Sequence, residues 1–225
     1  MKKSFLLVLL AVLGLSACKT NVSILGDSYS TFGGYVQPDT NFVWYGEPNS
    51  VPRNNVTQAW EMWWYPIVTQ KGYKLEVNNS FSGSTVCNTG YRAEDYSDRS
   101  FITRLTKLGK PDVILVFGGT NDSWAKAPIG EFKYEDWNDE ELYTFRPAFA
   151  YLLHGLQKKY PRAKIYNITN SELSEEVTSS MVEICAHYNV PNIQLQDVNK
   201  QAGHPSVDGM KSISEQVLEK LNEAK

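Results

Sequence analysis

Ser28, in Gly26-Asp27-Ser28-Tyr29-Ser30, and His204, in Gly203-His204-Pro205-Ser206, are the residues whose chemistry fits together most directly. A serine hydroxyl becomes a nucleophile when a neighbouring imidazole takes its proton. They lie far apart in the chain, so only a fold that brings the two loops to one place makes the pair useful. Two further blocks have the same character, Asn79-Ser80-Phe81-Ser82-Gly83-Ser84 and Gly118-Gly119-Thr120-Asn121-Asp122. Taken singly, each block is also what an ordinary turn contains. Asp, Asn and Ser hydrogen-bond their own backbone there, glycine permits the turn, and a lone loop histidine is commonly solvated. The specific observation is that Ser28, Gly83, Asn121 and His204 occur together, in that order, each beside a structural boundary.

The elements that must position them are legible as short apolar runs alternating with helical patterns. Strands are expected at Val22–Gly26, Lys74–Asn78, Asp112–Phe117, Lys164–Ile168 and Asn192–Leu195, each resembling a buried parallel strand. Helices are expected at Val56–Lys71, Ser100–Leu108, Glu140–Tyr160, Ser174–Asn189 and Ser206–Glu223. This βαβα order implies a parallel sheet covered on both faces. Ligands of such sheets bind at the carboxyl ends of the strands. The Ser28, Gly83 and Asn121 blocks each follow a strand, and the His204 block precedes the last helix.

The four blocks together resemble those of the SGNH hydrolase superfamily, which includes the GDSL esterases and lipases, and the resemblance spans nearly the whole chain after its first eighteen residues. It implies a flavodoxin-like three-layer α/β/α fold with a five-stranded parallel sheet of order 2-1-3-4-5, hydrolysis of esters, and no cofactor or metal. It also implies roles. Ser28 is the expected nucleophile and His204 its general base, while the N–H groups of Ser28 and Gly83 and the side-chain amide of Asn121 are expected to form the oxyanion hole. One position departs from the pattern. Family members commonly carry an aspartate three residues before the histidine, and here that residue is Gln201. Gln201 itself, Asp197 folding back from seven residues upstream, or a backbone carbonyl are the alternatives for orienting the imidazole. None but Asp197 brings negative charge.

Lys2 and Lys3 precede an apolar run from Phe5 to Leu15, too short to span a bilayer as a folded helix, and Leu15-Ser16-Ala17-Cys18 follows. The arrangement resembles a lipoprotein signal peptide over residues 1–17 with lipidation at Cys18. Residues 18–225 are then expected to form a single hydrolase domain. The remaining residues before the first strand would tether it within roughly 10 Å of a membrane. The expected location is the cell envelope, on the periplasmic side of the outer membrane. Cys87 and Cys185 are the other cysteines, and no disulfide framework is expected from two. A net charge of −3 without a basic stripe argues against nucleic acid as a partner.

Aromatic residues make up 12% of the chain and point to a substrate. Phe42, Trp44 and Tyr45 lie in a long loop after Ser28, where binding surfaces are often found. Trp124, Phe132, Tyr134 and Trp137 in the segment Ser123–Asp139 are expected to form a facing wall. Trp60, Trp63 and Trp64 have helical spacing and are expected in the core. Glu131, Glu135, Asp136 and Asp139 read as a solvated face. The resemblance and the aromatic loops together imply an acylated carbohydrate as the substrate, losing a small acyl group, most simply acetyl. A glycan-binding lipoprotein with weak or no catalysis, and a lipase or thioesterase, are the rival readings.

Overall fold

Alternating short strands and helices build one five-stranded parallel sheet of order β2-β1-β3-β4-β5 in the computed structural model, which describes residues 19–46, 54–70 and 72–223. The apolar N-terminal segment and Cys18 lie outside the described residues. The strands are β1 (Thr20–Gly26), β2 (Tyr73–Ser80), β3 (Val113–Gly118), β4 (Lys164–Thr169) and β5 (Asn192–Gln194). The helices are α1 (Trp64–Gln70), α2 (Phe101–Arg104), α3 (Thr120–Ala125), α4 (Phe145–Lys159), α5 (Glu175–His187) and α6 (Val207–Glu223). A two-stranded antiparallel hairpin, β6 (Lys200–Gln201) and β7 (His204–Pro205), precedes α6.

Strand geometry divides the core into two layers, because successive side chains point to opposite faces. On β3, Ile114 and Val116 join Leu25 and the α4 and α5 residues Phe149, Leu153, Met181 and Ile184 on one face. Val113, Leu115 and Phe117 join Ile24, Ile67 of α1, and Met210, Ile213 and Val217 of α6 on the other. Every residue of β3 is buried. That is why this strand reads as an uninterrupted apolar run rather than an alternating one. The result is the three-layer α/β/α arrangement that the strand and helix order implies.

The helices depart from the expected bounds for identifiable reasons. Val56–Lys71 is not one helix. Ala59–Glu61 form a 3-10 turn, extended backbone at Met62 interrupts the winding, and α1 starts at Trp64. Pro66 then falls in the first turn of α1, where its missing N–H costs no helical bond. The interruption also breaks the tryptophan stripe: Trp63 and Trp64 are fully buried, but Trp60 is 61% exposed. Pro147 similarly occupies the first turn of α4, leaving Glu141–Tyr143 as a separate 3-10 turn. α2 is shorter than expected, and α3 lies where a loop was expected. Cys87 and Cys185 are buried free thiols.

Candidate active site

The strand order changes direction between β1 and β3, with β2 on one side of β1 and β3 on the other. A crevice opens there at the carboxyl ends. Ser28 follows β1 in a 3-10 turn, Ser28–Ser30, whose cap is Asp27: its carboxylate accepts the Tyr29 N–H at 3.0 Å. The turn is braced from below. The indole N–H groups of Trp63 and Trp64 donate to Ser30 Oγ and Ser30 O at 3.2 and 3.1 Å, and Asn78 donates to Ser30 O at 2.8 Å.

His204 reaches this turn from the hairpin. Its Nε2 lies 3.0 Å from Ser28 Oγ and its Nδ1 lies 3.2 Å from the carbonyl of Ala202. A carbonyl only accepts, so Nδ1 carries the hydrogen and Nε2 turns its lone pair toward the serine. Ala202 and Gly203 both have positive φ, 50° and 76°, as a two-residue hairpin loop of type I′ requires. Alanine at this position carries a backbone penalty on the order of 1 kcal/mol. This left-handed residue supplies the acceptor for Nδ1.

Gln201 does not orient the ring: its Oε1 accepts the N–H of Asn55 at 3.0 Å. It pairs across the hairpin with His204, and neighbouring cross-strand residues share a face, but the side chain is drawn to the 54–55 segment. Asp197 is exposed in the loop after β5, with left-handed backbone. The only acceptor that meets Nδ1 among the described residues is the Ala202 carbonyl.

The hairpin itself is held by groups that sequence reasoning missed. Tyr29 Oη donates to Gly203 O at 2.7 Å and Tyr45 Oη donates to Pro205 O at 2.9 Å. Asn54 Nδ2 faces the carbonyls of Gln201, His204 and Pro205 at 3.0 to 3.2 Å. Asn55 Oδ1 accepts from Val207 at the start of α6. Ser206, just before α6, caps it: Ser206 Oγ accepts the N–H of Gly209.

Around the imidazole stands an aromatic enclosure. Trp44 is stacked on it, with ring centres 3.6 Å apart and planes 5° from parallel. Tyr29, Trp124 and Tyr45 approach at 5.3, 5.9 and 6.2 Å. His204 is 5% exposed. Burial pushes its pKa down to about 4, against a smaller opposing effect of the Ala202 hydrogen bond, so the ring is neutral at physiological pH. Burial likewise holds the Tyr29 and Tyr45 phenols protonated far above neutrality.

Gly83 and Asn121 are the other two residues expected to donate to an oxyanion. Gly83 has φ +83°, and a Cβ there would meet nothing within 4 Å, so its backbone conformation rather than crowding calls for glycine. Neither Ser28 N–H nor Gly83 N–H has an acceptor among the described residues. The Asn121 amide is oriented at both ends: Tyr91 Oη donates to its Oδ1 at 2.7 Å, and one Nδ2 hydrogen goes to Ser84 O at 2.9 Å. Its second amide hydrogen is left for a ligand.

Two buried charges tie these loops together. The Asp122 carboxylate accepts from the N–H groups of Val86 and Cys87, joining α3 to the chain after Gly83. Arg104, also buried, donates to the carbonyls of Asn79 and Gly26, to Ser84 Oγ and to Arg99 O. It therefore joins the ends of β1 and β2 to the Ser84 turn. A cation inside the apolar stretch Phe101–Leu105 was the available sequence signal. Asp27 has one carboxyl oxygen buried without a hydrogen-bond partner, and burial raises its pKa to about 7.

Of the expected facing wall, only Trp124 reaches the site; it is 44% exposed and its ring would lie 3.3 Å from a Cβ on Gly203. Phe132, Tyr134 and Trp137 pack instead beside α4 and α5, against Arg146, His187 and Tyr151 respectively. From the long loop, Trp44 and Tyr45 face His204, while Phe42 is 64% exposed and its carbonyl accepts Ser82 N–H beside Gly83.

The model of the GDSL-like lipase/acylhydrolase family matches residues 20–221. The chain is similar to a candidate GDSL-like lipase from Bacteroides uniformis ATCC 8492, with 61% identity and a TM-score of 0.90 over 91% of this chain and 96% of that one. A candidate GDSL-like lipase from Bacteroides ovatus ATCC 8483 shares 53% identity with a TM-score of 0.89, over 92% and 99% of the two chains. The fold extends to a family two carbohydrate esterase from Clostridium thermocellum in complex with cellohexaose, at 15% identity and a TM-score of 0.59, over 91% of this chain and 64% of that one. No curated protein matches.

Proposed function

Since this chain belongs to the GDSL-like lipase/acylhydrolase family and is a serine hydrolase acting on esters, we propose that Ser28 and His204 remove a small acyl group, most simply acetyl, from a carbohydrate. The observation that carries the reading is the 3.0 Å contact between Ser28 Oγ and His204 Nε2. Ser28 Oγ attacks the ester carbonyl carbon as Nε2 takes its proton. The carbonyl oxygen becomes an oxyanion, met by Ser28 N–H, Gly83 N–H and Asn121 Nδ2. Collapse breaks the bond to the alcohol oxygen, which receives the proton from His204, and leaves acyl-Ser28. Water, deprotonated by the same nitrogen, then releases the acid and restores the serine.

Phe42 and Trp124 favour a sugar over a long acyl chain, because both are exposed and they lie beside the Gly83 and His204 loops respectively. Their flat faces suit stacking on a sugar ring. The proposed lipid on Cys18 points the same way. It would join the chain just before Thr20 at the start of β1, whereas Ser28 follows the other end of that strand, roughly 20 Å away along its length. The site then opens away from the bilayer, toward envelope carbohydrate rather than membrane lipid, on the periplasmic side of the outer membrane. Mass spectrometry of the intact protein tests the anchor through a diacylglycerol-modified Cys18 as the first residue.

The catalytic reading is tested with p-nitrophenyl acetate and palmitate. Acetate is expected to be turned over, palmitate poorly, and Ser28→Ala is expected to abolish both. On an acetylated polysaccharide, Trp124→Ala is expected to raise KM several-fold while leaving p-nitrophenyl acetate nearly unchanged. The neutral carbonyl on Nδ1 favours a second reading, a glycan-binding protein of weak catalysis. Equal rates in wild type and Ser28→Ala, with polysaccharide binding retained, would select it.

A further inference from the structure

A serine hydrolase base becomes an imidazolium midway through each half-reaction, and a carboxylate on Nδ1 ordinarily stabilises that charge. Among the described residues Nδ1 meets only the Ala202 carbonyl, and the ring is almost completely buried. The nearby titratable groups do not supply the missing charge. Tyr29, from the turn after β1, and Tyr45, from the loop carrying Trp44, are neutral phenols whose hydroxyls are committed to Gly203 O and Pro205 O. Asp27 caps the Ser28 turn through Tyr29 N–H, and Lys200 on β6 is turned to Glu172 and Ser171 O. What does face the ring is the indole of Trp44, parallel to it at 3.6 Å.

We propose that Trp44 is a positioning residue whose indole face stabilises the imidazolium form of His204, supplying part of what a carboxylate would. The inference rests on the reading of His204 as the base. An aromatic face carries negative quadrupole potential and attracts a cation placed over it, tryptophan most strongly, and the attraction grows when water is excluded. A stack centred on the ring, within a buried enclosure, meets both conditions. The stack is also fixed to the nucleophile. Trp44 N–H donates to Thr31 Oγ1 at 2.9 Å, and that hydroxyl donates to Ser28 O at 3.0 Å. Gly33 N–H donates to Tyr45 O at 2.9 Å, and Phe32 bridges Tyr45, so the residue after Trp44 is tied to the same segment. The base and its π partner are thereby referenced to one turn.

Replacing Trp44 alone with fluorinated tryptophans tests this without changing the packing, because successive fluorines withdraw charge from the ring face at nearly constant shape. The imidazole proton resonance of His204 in the resting protein gives its pKa directly, and kcat on p-nitrophenyl acetate gives the catalytic effect. Each added fluorine is expected to lower both the His204 pKa and kcat, and Trp44→Leu to lower kcat about ten- to thirty-fold. A His204 pKa and a kcat that stay constant across the fluorinated series, even if Trp44→Leu is slow, would overturn the proposal and leave the indole a packing group. A pKa that moves while kcat does not would also overturn it as a catalytic device. Failure of the base reading is seen separately, as His204→Ala retaining wild-type turnover.

Discussion

In the reaction proposed for Ser28 and His204 the chemistry depends on a neutral imidazole, and burial is what keeps it neutral. The ordinary histidine pKa is near 6.5; loss of hydration brings this ring down to about 4. The base is active when deprotonated, so kcat/KM is expected to stay level as pH falls through 6.5 and to decline only toward pH 4, provided the fold persists. A pH–rate profile on p-nitrophenyl acetate checks this, and a decline centred at 6.5 would contradict a buried base. The same burial makes His204 a weak base, which a carboxylate would ordinarily offset. Installing one at Gln201 does not guarantee that remedy, since the side chain there is directed to Asn55. Ala202 shows why residue type alone misled: its relevant group is a carbonyl, which every residue possesses, and only its left-handed φ brings that carbonyl to Nδ1.

The element that governs the base is the β6–β7 hairpin, short enough that its position depends on tethers from elsewhere. Tyr29 and Tyr45 provide two of these, through buried hydroxyls on the carbonyls of Gly203 and Pro205. Tyr29→Phe leaves the Gly203 carbonyl without its donor and is expected to cost about 1–2 kcal/mol in urea unfolding, whereas Tyr45→Phe leaves Asn54 Nδ2 on the Pro205 carbonyl and is expected to cost less. Because both hold one hairpin, their effects on kcat are expected to be non-additive in a double-mutant cycle, with the first substitution doing most of the damage. Additive losses would mean that the hairpin is held independently at its two ends. β3 was legible in the sequence because a buried parallel strand is a continuous apolar run, and the edge strand β2 through Leu75 and Val77 alternating with Lys74 and Glu76. This hairpin was not, because two-residue strands carry no periodicity and its turn contains Ala where Asn or Gly is the usual signal. The α1 region failed for a related reason. Helical spacing of Trp60, Trp63 and Trp64 survived a chain that changes from a 3-10 turn to a helix between them, and so ceased to mark one face.

Across the molecule, buried ionisable groups give stability two opposing slopes with pH. His204 takes up its proton less readily folded than unfolded, so its contribution is full above about pH 6.5 and is lost as pH falls toward 4. Asp27 and Asp122 behave oppositely. Burial raises them from 3.8 to about 7 and about 6, so their contribution is full below pH 4 and is lost as pH rises through those values. Asp27→Asn keeps an acceptor for Tyr29 N–H and removes one ionisation. Its Tm relative to wild type is expected to rise by several degrees between pH 5 and pH 8 in thermal unfolding. A difference independent of pH would show that Asp27 is already ionised in the folded protein at pH 5, with its pKa not raised.

The order of Ser28, Gly83, Asn121 and His204, the strand runs that precede the first three, and the parallel sheet they imply were determined by the sequence, since apolar periodicity and turn chemistry are local properties. The tertiary structure decided what surrounds those residues. It brought the Ala202 carbonyl, the Trp44 face, the Tyr29 and Tyr45 hydroxyls and the Arg104 guanidinium to the site from different stretches of chain. Such contacts depend on distances between segments remote in sequence, on backbone groups common to all residues, and on burial, none of which leaves a periodic mark on the chain.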